Sequence, residues 1–338
     1  MPQSAHDALY SMYATNLSEK LKVFENEIDP TVRPDQPYVI RLDGCAFSTF
    51  TKGIVKPFDS RLTDAMVETT KDLVQRFVPA MGYTSSDEIS LVFAAAIEPP
   101  PPAESTEAVG EEATPAAEKP EETPTAPAVT DENPRPAKRA KKTKRPKPDA
   151  THMFSGRVQK LSSVTASYAA ARFNYHLAKH EWADVAEHVR ERMLSHTAHF
   201  DGRVVPTPDT TTAMECIFWR SNFDGFRNSV SQISNSQFTP KEMHGKGLKE
   251  QLKMLATKGV DPFESFLPRF LYGTWVKKEQ FEMHGMVNPK TGEPIAGPVI
   301  RSRVRTGSFN WADWSAEQRT AFAMAKLWPA DGPPKHDL

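Results

Sequence analysis

Two short acidic motifs carry the residue types that could do chemistry: Arg41-Leu42-Asp43-Gly44 and Ser85-Ser86-Asp87-Glu88. Each abuts an apolar run of strand character, Tyr38-Val39-Ile40 ahead of Asp43 and Ile89-Ser90-Leu91-Val92-Phe93 after Glu88. Carboxylates at strand ends or in a hairpin turn, once the fold brings them together, supply hard oxygen ligands for a divalent cation such as Mg²⁺. Two such ions about 4 Å apart are a common means of displacing a leaving group from phosphorus. Nucleotidyl transfer is therefore the chemistry these motifs point to. Either motif alone reads equally as an ordinary turn, one with a capping Asp and one built of turn-forming residues. The pair is more specific, because a βαβ spacing allows both strands to lie side by side in one sheet.

The residues around the motifs extend this reading. Gly44 lets the backbone approach a ligand closely, and Cys45-Ala46-Phe47-Ser48 offers backbone N–H groups to a triphosphate. Lys56 is placed to neutralise phosphate charge, whereas Arg61 reads as surface charge. Arg157 and Lys160 lie one helical turn apart and face the same way. They fit either a phosphate or RNA-backbone contact or a solvated helix face. Trp219-Arg220 with Asp224, Arg227 and Asn228 combines an aromatic with cations and polar groups, as a site for a base and its phosphates would, or else forms a capped helix start. His199 and His244 read as turn or loop residues without a catalytic role.

The elements that must position these groups follow from periodicity. A strand over Tyr38–Leu42 enters the Asp43-Gly44 turn, and a helix follows from Ser60 to Phe77. Leu62, Met66, Leu73 and Phe77 share its face, with Asp59 or Ser60 as cap. Gly82–Glu88 reads as a turn and Ile89–Phe93 as the next strand. A second helix runs from Val158 to about Lys179. Asp201-Gly202-Arg203 reads as a turn, Ala213–Arg220 as strand or helix, Lys246–Lys258 as a polar helix and Phe270–Val276 as a strand.

Composition bounds the alternatives. The chain has 338 residues, a formal net charge of −1 and 25% charged residues, which suits one large domain or two smaller ones. Its two cysteines, Cys45 and Cys216, have no metal-ligand spacing, so a disulfide framework or zinc site is not expected and a reducing compartment is. No run of about 18 apolar residues predicts a membrane span. The first 30 residues resemble neither a secretory signal nor a transit peptide.

Residues 98 to about 150 break the pattern. They contain no Leu, Ile, Met, Phe, Tyr or Trp and are crowded with Pro, Ala, Glu and Thr. Such a stretch cannot bury enough apolar surface to offset its ordering entropy and is expected to be a disordered insert within one domain. It is acidic first and basic from Arg135 to Lys147. The basic part reads either as a nuclear-import or RNA-contacting arm or as a solvated linker, leaving nucleus and cytoplasm both open. A fluorescent fusion lacking 135–147 separates the two. The expected organisation is residues 1–97 and 151–235 as the catalytic domain, 98–150 as the insert, and 236–338 as a C-terminal extension packing on it.

Taken together, these motifs resemble the tRNA-His guanylyltransferase family, including its branch of guanylyltransferase-like 3′–5′ polymerases. The resemblance rests on Arg41-Leu42-Asp43-Gly44, Phe47, Phe50, Lys56-Pro57-Phe58-Asp59 and Gly82-Tyr83 with Ser85-Ser86-Asp87-Glu88-Ile89-Ser90. It continues through Gly156-Arg157-Val158-Gln159-Lys160-Leu161, Phe200-Asp201-Gly202-Arg203 and Trp219-Arg220. It implies an α+β fold, a palm-like (ferredoxin-like) antiparallel sheet with helices. It implies two Mg²⁺ ions held by Asp43 and Asp87 with the Gly44 carbonyl, and Glu88 assisting catalysis. It further implies nucleotide contacts from the Asp43–Ser48 loop, Ser86 and Asp87, with GTP and ATP as substrates and tRNA as partner. Addition would run 3′–5′ at the tRNA 5′ end, in a homotetramer. The family's dedicated enzymes carry a His-Ile-Asn-Asn run after the Trp-Arg pair. Here that stretch is Asp224-Gly225-Phe226-Arg227-Asn228-Ser229, in which Asn228 matches and the histidine is absent. A Lys-Gly-Thr pattern becomes Tyr272-Gly273-Thr274. These departures resemble the branch linked to 5′-end repair. The rival readings are an inactive tRNA-binding protein of the same fold and a nucleotide cyclase, which shares the palm.

Overall fold

Alternation along one strand sets the architecture. In β1 (Tyr38–Gly44), Tyr38, Ile40 and Leu42 point to one face of the sheet, and Val39, Arg41 and Asp43 point to the other. The computed structural model describes residue 7, residues 10–12, 15–97 and 150–325. The expected acidic-then-basic insert, 98–150, lies outside the described residues except for residue 150, and so does its basic stretch.

The chain order is α1 (Leu17–Glu27), β1, α2 (Phe47–Phe50), α3 (Ser60–Phe77), β2 (Met81–Ser85), β3 (Glu88–Phe93), α4 (Val158–Leu177), α5 (Glu187–Met193) and β4 (Phe200–Pro206). It continues with α6 (Thr210–Trp219), α7 (Phe226–Gln237), α8 (Leu248–Thr257), β5 (Thr274–Met283), β6 (Val299–Gly307) and α9 (Ala316–Met324), with short helical turns between. The six strands form one sheet in the order β4-β1-β3-β2-β5-β6, antiparallel throughout. The first four strands with α3 and α4 make the βαββαβ unit of ferredoxin-like folds. β5 and β6, from the 236–338 region, extend the same sheet past β2.

Helices α3 and α4 cover one face. Their apolar stripes pack on Ile40, Leu42, Ile89 and Leu91, and this forms the larger core. Asp59 caps α3 by accepting from the Arg61 amide at 3.0 Å, as the sequence predicts. On the other face, α6 and α9 cover Val39, Met81, Tyr83, Val92 and Trp275. At the end of the sheet away from them, Asp43 keeps part of its side chain exposed while Glu88 is largely buried. A third cluster joins α7 to α8 through Val230, Ile233 and Leu255.

Three expectations are corrected. Asp201-Gly202-Arg203 is not a turn but part of β4, hydrogen-bonded along the outer edge of β1. Gly202 is required there for packing: a Cβ would stand 2.7 Å from the Ser162 carbonyl of α4. Met81–Ser85 is a strand, so the expected 82–88 turn shrinks to Ser86-Asp87, a two-residue hairpin loop with Ser86 at φ 55°. The Phe270–Val276 segment is split by Gly273 (φ 74°), which separates the helical turn Pro268–Tyr272 from β5. Ala213–Arg220 resolves as helix. Among the described residues no helix is long and apolar enough to cross a membrane.

β5 buries a lysine. Lys277 Nζ donates to the carbonyls of Phe322 and Ala323, at 2.6 and 3.0 Å, and so caps the C-terminal end of α9. Burial pushes its pKa from the ordinary 10.5 down to about 8, with Glu279 pulling the other way. Between those values the unfolded chain holds the proton and the folded chain does not, so stability rises with pH in that window. The midpoint of the wild type should therefore climb from pH 8 to 10 relative to Lys277→Met. Thermal melts that stay parallel over this range would remove the assignment.

Candidate active site

The register of the sheet lines up the acidic residues. Asp43 is directly opposite Glu88 on β3 and Asp201 on β4, so three carboxylates cross three neighbouring strands in one row. Like charges at directly opposed positions are destabilising, and three arginines answer them. Arg41, two residues before Asp43 and on its face, donates from Nη2 to Asp43 Oδ2 at 3.0 Å. Its Nε lies 3.2 Å from Glu88 Oε1, an ion pair rather than an aligned hydrogen bond. Arg203 Nη2 meets Asp201 Oδ2 at 3.2 Å. Arg220 reaches in from the π-helical turn after α6, with Nη1 3.4 Å from Glu88 Oε2 and 2.9 Å from Asp224 Oδ2. Single π-turns inside helical runs occur frequently at functional sites.

Asp87 arrives from the β2–β3 hairpin. The Gly44 amide donates to the Asp87 carbonyl at 3.0 Å, which ties the end of β1 to that turn. Burial raises the Asp87 pKa, the Ser86 side chain opposes this by hydrogen bonding, and the nearby Asp43 charge raises it further. Asp87 forms no ion pair among the described residues. Burial likewise pushes Glu88 up to about 6, against the pull of Arg220 and Arg41. Asp87 is thus a half-buried carboxylate beside a second one with no ion pair among the described residues, an unfavourable arrangement of the kind that functional sites maintain.

Two cavities of about 310 Å³ each flank the hairpin turn. The first is lined by Ser48, Lys56, Phe58, Ser86, Asp87 and Arg269, among others. The second is lined by Tyr83, Glu88, Arg220, Asp224, Asn228 and amide side chains of α7. Ser85, Ser86, Asp87, Ser229 and Gln232 belong to both walls.

The structure brings Phe47, Ser48, Lys56, Ser86, Asp87, Glu88 and Asn228 to the walls of these cavities, whereas Asp43 and Gly44 line neither and are tied to them through Asp87. Phe47 contributes mainly as a core ring, packed against Phe50, Phe173 and Phe200. Ala46 sits at the head of α2 in the left-handed region. The Cys45 amide is committed to the His199 carbonyl at 2.9 Å and is not free for a phosphate. Arg227 is exposed and tied to Asp224 at 2.5 Å. Arg157 and Lys160 line neither cavity. Arg157 is held by Asp29 at 2.5 Å, and Lys160 lies over the Phe154 ring. Arg61, bound to Asp59 and Asp184 and stacked on Trp182, is structural.

The roles of Arg41, Asp201 and Arg269 escape a reading of the sequence. Arg41 could have been found from the period of two, which puts it on Asp43's face. The other two depend on pairings distant in sequence.

Comparison with known proteins bears on the family and the fold. A family model described as tRNAHis guanylyltransferase matches residues 18–208. An uncharacterized protein of Acanthamoeba polyphaga mimivirus is 27% identical over 278 residues, 80% of each chain. A solved bacterial tRNA(His) guanylyltransferase-like protein in complex with ATP is 23% identical with a TM-score of 0.54, covering 77% of this chain and 88% of that one. Such a protein in complex with GTP gives 22% and 0.52, covering 86% and 90%. The Saccharomyces cerevisiae tRNA(His) guanylyltransferase gives 18% and 0.51, covering 75% and 91%. At these identities the solved structures speak for the fold.

Proposed function

The chain belongs to the tRNAHis guanylyltransferase family and is a nucleotidyltransferase of that type, and from that premise we propose that it adds nucleotides to tRNA 5′ ends in the 3′–5′ direction, using a pair of Mg²⁺ ions. The observation that carries this reading is the nearness of Asp43 to Asp87, whose pKa the Asp43 charge helps to raise, where the Gly44 amide ties the end of β1 to a hairpin turn that lines both cavities.

The donor set suits Mg²⁺. Two carboxylates and the Gly44 carbonyl are hard oxygen ligands, and Mg²⁺ takes its remaining positions from water and substrate phosphates rather than from a closed protein cage. Among the described residues no group of three or more His, Cys, Asp or Glu side chains could hold a metal ion by itself, so water and substrate phosphates would have to complete the coordination. When bound, the ions would orient the triphosphate and offset charge on the attacking and leaving oxygens.

The rest is done by the chain. Asp43 and Asp87 bring two negative charges together, which makes the site selective for cations. Lys56, Ser48 and Ser86 line the same cavity and supply donors for triphosphate oxygens. Arg41 and Arg220 fix Glu88 from two sides and keep this third carboxylate turned toward the site. The ATP and GTP complexes of the bacterial relatives support purine triphosphates as substrates here. The altered Asp224–Ser229 stretch supports repair of truncated 5′ ends over strict tRNA-His maturation.

A gel assay tests this. The protein is given Mg²⁺, ATP, GTP and one of two 5′-monophosphorylated RNAs: tRNA-His lacking its extra guanosine, or another tRNA lacking its first nucleotide. Extension of the truncated tRNA, stopping when the acceptor stem is complete, is the expected result. Addition to tRNA-His alone would make the enzyme a dedicated guanylyltransferase. No product on either RNA, with tRNA still bound, would overturn the reading in favour of an inactive tRNA-binding protein.

A further inference from the structure

Arg269 stands in the wall of the first cavity with one edge of its guanidinium unpartnered among the described residues. It comes from the helical turn Pro268–Tyr272, and its side chain is only 13% exposed. Asp64 Oδ1 on α3 holds its Nη1 at 2.8 Å. The opposite edge of the guanidinium has no acceptor among the described residues: Nε is buried and unpartnered, and Nη2 donates to none of them. A buried donor left unsatisfied is costly, and native structures retain one where a ligand or water completes it. The anchoring by Asp64 also means that the free edge is held in one orientation before any ligand arrives.

The surroundings indicate what the ligand is. An Nε/Nη2 edge presents two parallel N–H donors and asks for a pair of acceptors. Guanine O6 and N7 are such a pair, and so are two oxygens of a phosphate. Phe58 and Phe270 stack at 4.9 Å and 5° beside the guanidinium, whose Cζ is 4.8 Å from the Phe270 ring. Together with Ile54 and Met66 they give this cavity apolar, flat walls of the kind that hold a base. Phosphate donors are already present in Ser48, Lys56 and Ser86.

We propose that Arg269 reads the O6/N7 edge of the incoming guanine base, and so sets a guanine preference in this cavity. The proposal rests on the reading of the cavity as the triphosphate site. Lysine cannot replace this residue, because a single ammonium lacks the two-pronged edge. Adenine presents an amino donor in place of O6 and meets the arginine donor-to-donor.

Calorimetric titration tests the assignment without turnover. The probes are GTP, 7-deaza-GTP, ATP and inorganic tripolyphosphate, each titrated with Mg²⁺ into the full chain and into Arg269→Met and Arg269→Lys. Circular dichroism verifies folding. Both variants should lose about tenfold to hundredfold in GTP affinity while ATP and tripolyphosphate stay within about twofold of the wild type. 7-Deaza-GTP, which lacks N7, should bind the wild type more weakly than GTP and lose less on substitution. Asp64→Asn, which keeps the arginine and loosens its anchor, should weaken GTP by a smaller factor, and it serves as the test if Arg269→Met fails to fold. Unchanged GTP affinity in the folded variants would overturn the assignment. So would an equal loss for GTP, ATP and tripolyphosphate, which would make Arg269 a phosphate contact. If the wild type binds none of the four, the triphosphate reading of the cavity falls first. If it binds GTP and the variants bind it equally well, only the role of Arg269 falls.

Discussion

Asp87→Asn should slow nucleotide addition by about a thousandfold or more and yet raise the thermal midpoint of the protein at neutral pH. The loss follows from the proposed role of the carboxylate as a metal ligand. Charge stabilisation through metal ions is worth several kcal/mol, and each 1.36 kcal/mol is a factor of ten in rate. The gain in stability follows from the electrostatics of the carboxylate pair. Burial raises the Asp87 pKa and the Asp43 charge pushes it the same way, so the folded chain ionises this group at a cost that the unfolded chain does not bear. For an acid raised in the folded state, the stability contribution is full below the ordinary value of 3.8 and is lost as pH rises through the folded value. At neutral pH the wild type therefore carries a penalty that asparagine removes, and the gap between the two melting curves should close toward acid pH. Millimolar Mg²⁺ should stabilise the wild type by mass action and leave Asp87→Asn unmoved. Single-turnover gel assays and melts with and without Mg²⁺ read all three effects. Near-normal turnover would remove Asp87 from the site, and a lower midpoint would make it a structural residue.

The parts of this fold that could be read from the sequence are those in which local and global signals agree. In α3 an apolar stripe, a capping Asp59 and an uninterrupted run of 18 residues all point to a helix, and its bounds match the reading. In β1, alternation separates core from site within seven residues. β2 and β4 were hidden by their own composition. Gly82 and the Ser85-Ser86 pair look like turn residues, yet Gly82 is there because a Cβ would come within 2.9 Å of Val74 on α3. Asp201-Gly202 looks like a turn, yet its glycine lets α4 close on the sheet. In both strands a glycine serves helix–sheet packing, which depends on an element distant in sequence. The site divides in the same way. Asp43, Asp87 and Glu88 announce themselves as motifs, but their alignment with Asp201 exists only in the register of three strands. Arg269 meets its anchor Asp64 across 205 residues of chain, beyond the reach of any periodicity.

Gly44→Ala should cost about 1–3 kcal/mol in stability, the usual range for overpacking a well-filled core, and disable the site by the same movement. Gly44 ends β1 without needing a left-handed backbone, so the effect is one of space. A Cβ there would lie 2.4 Å from Phe47 Cδ2, with two further ring atoms at 2.6 and 2.7 Å. The Phe47 ring cannot swing away, because Phe50, Phe173 and Phe200 surround it with centroids 5.3 to 5.4 Å distant. Relief must come from the backbone, by shifting either α2, which carries Ser48 into the first cavity, or the Gly44 peptide, whose amide holds the Asp87 carbonyl. Either shift separates groups that the site needs together, and displacements of about 1 Å can cost a hundredfold in rate. A double-mutant cycle isolates the cause. Phe47→Leu alone should be destabilising through the space it opens, but Gly44→Ala with Phe47→Leu should be more stable than the sum of the two single losses, because the smaller side chain yields to the new methyl group. Additive losses would show that the Phe47 ring is not what the glycine accommodates, and a Gly44→Ala variant with wild-type midpoint and activity would show that the end of β1 has room to spare.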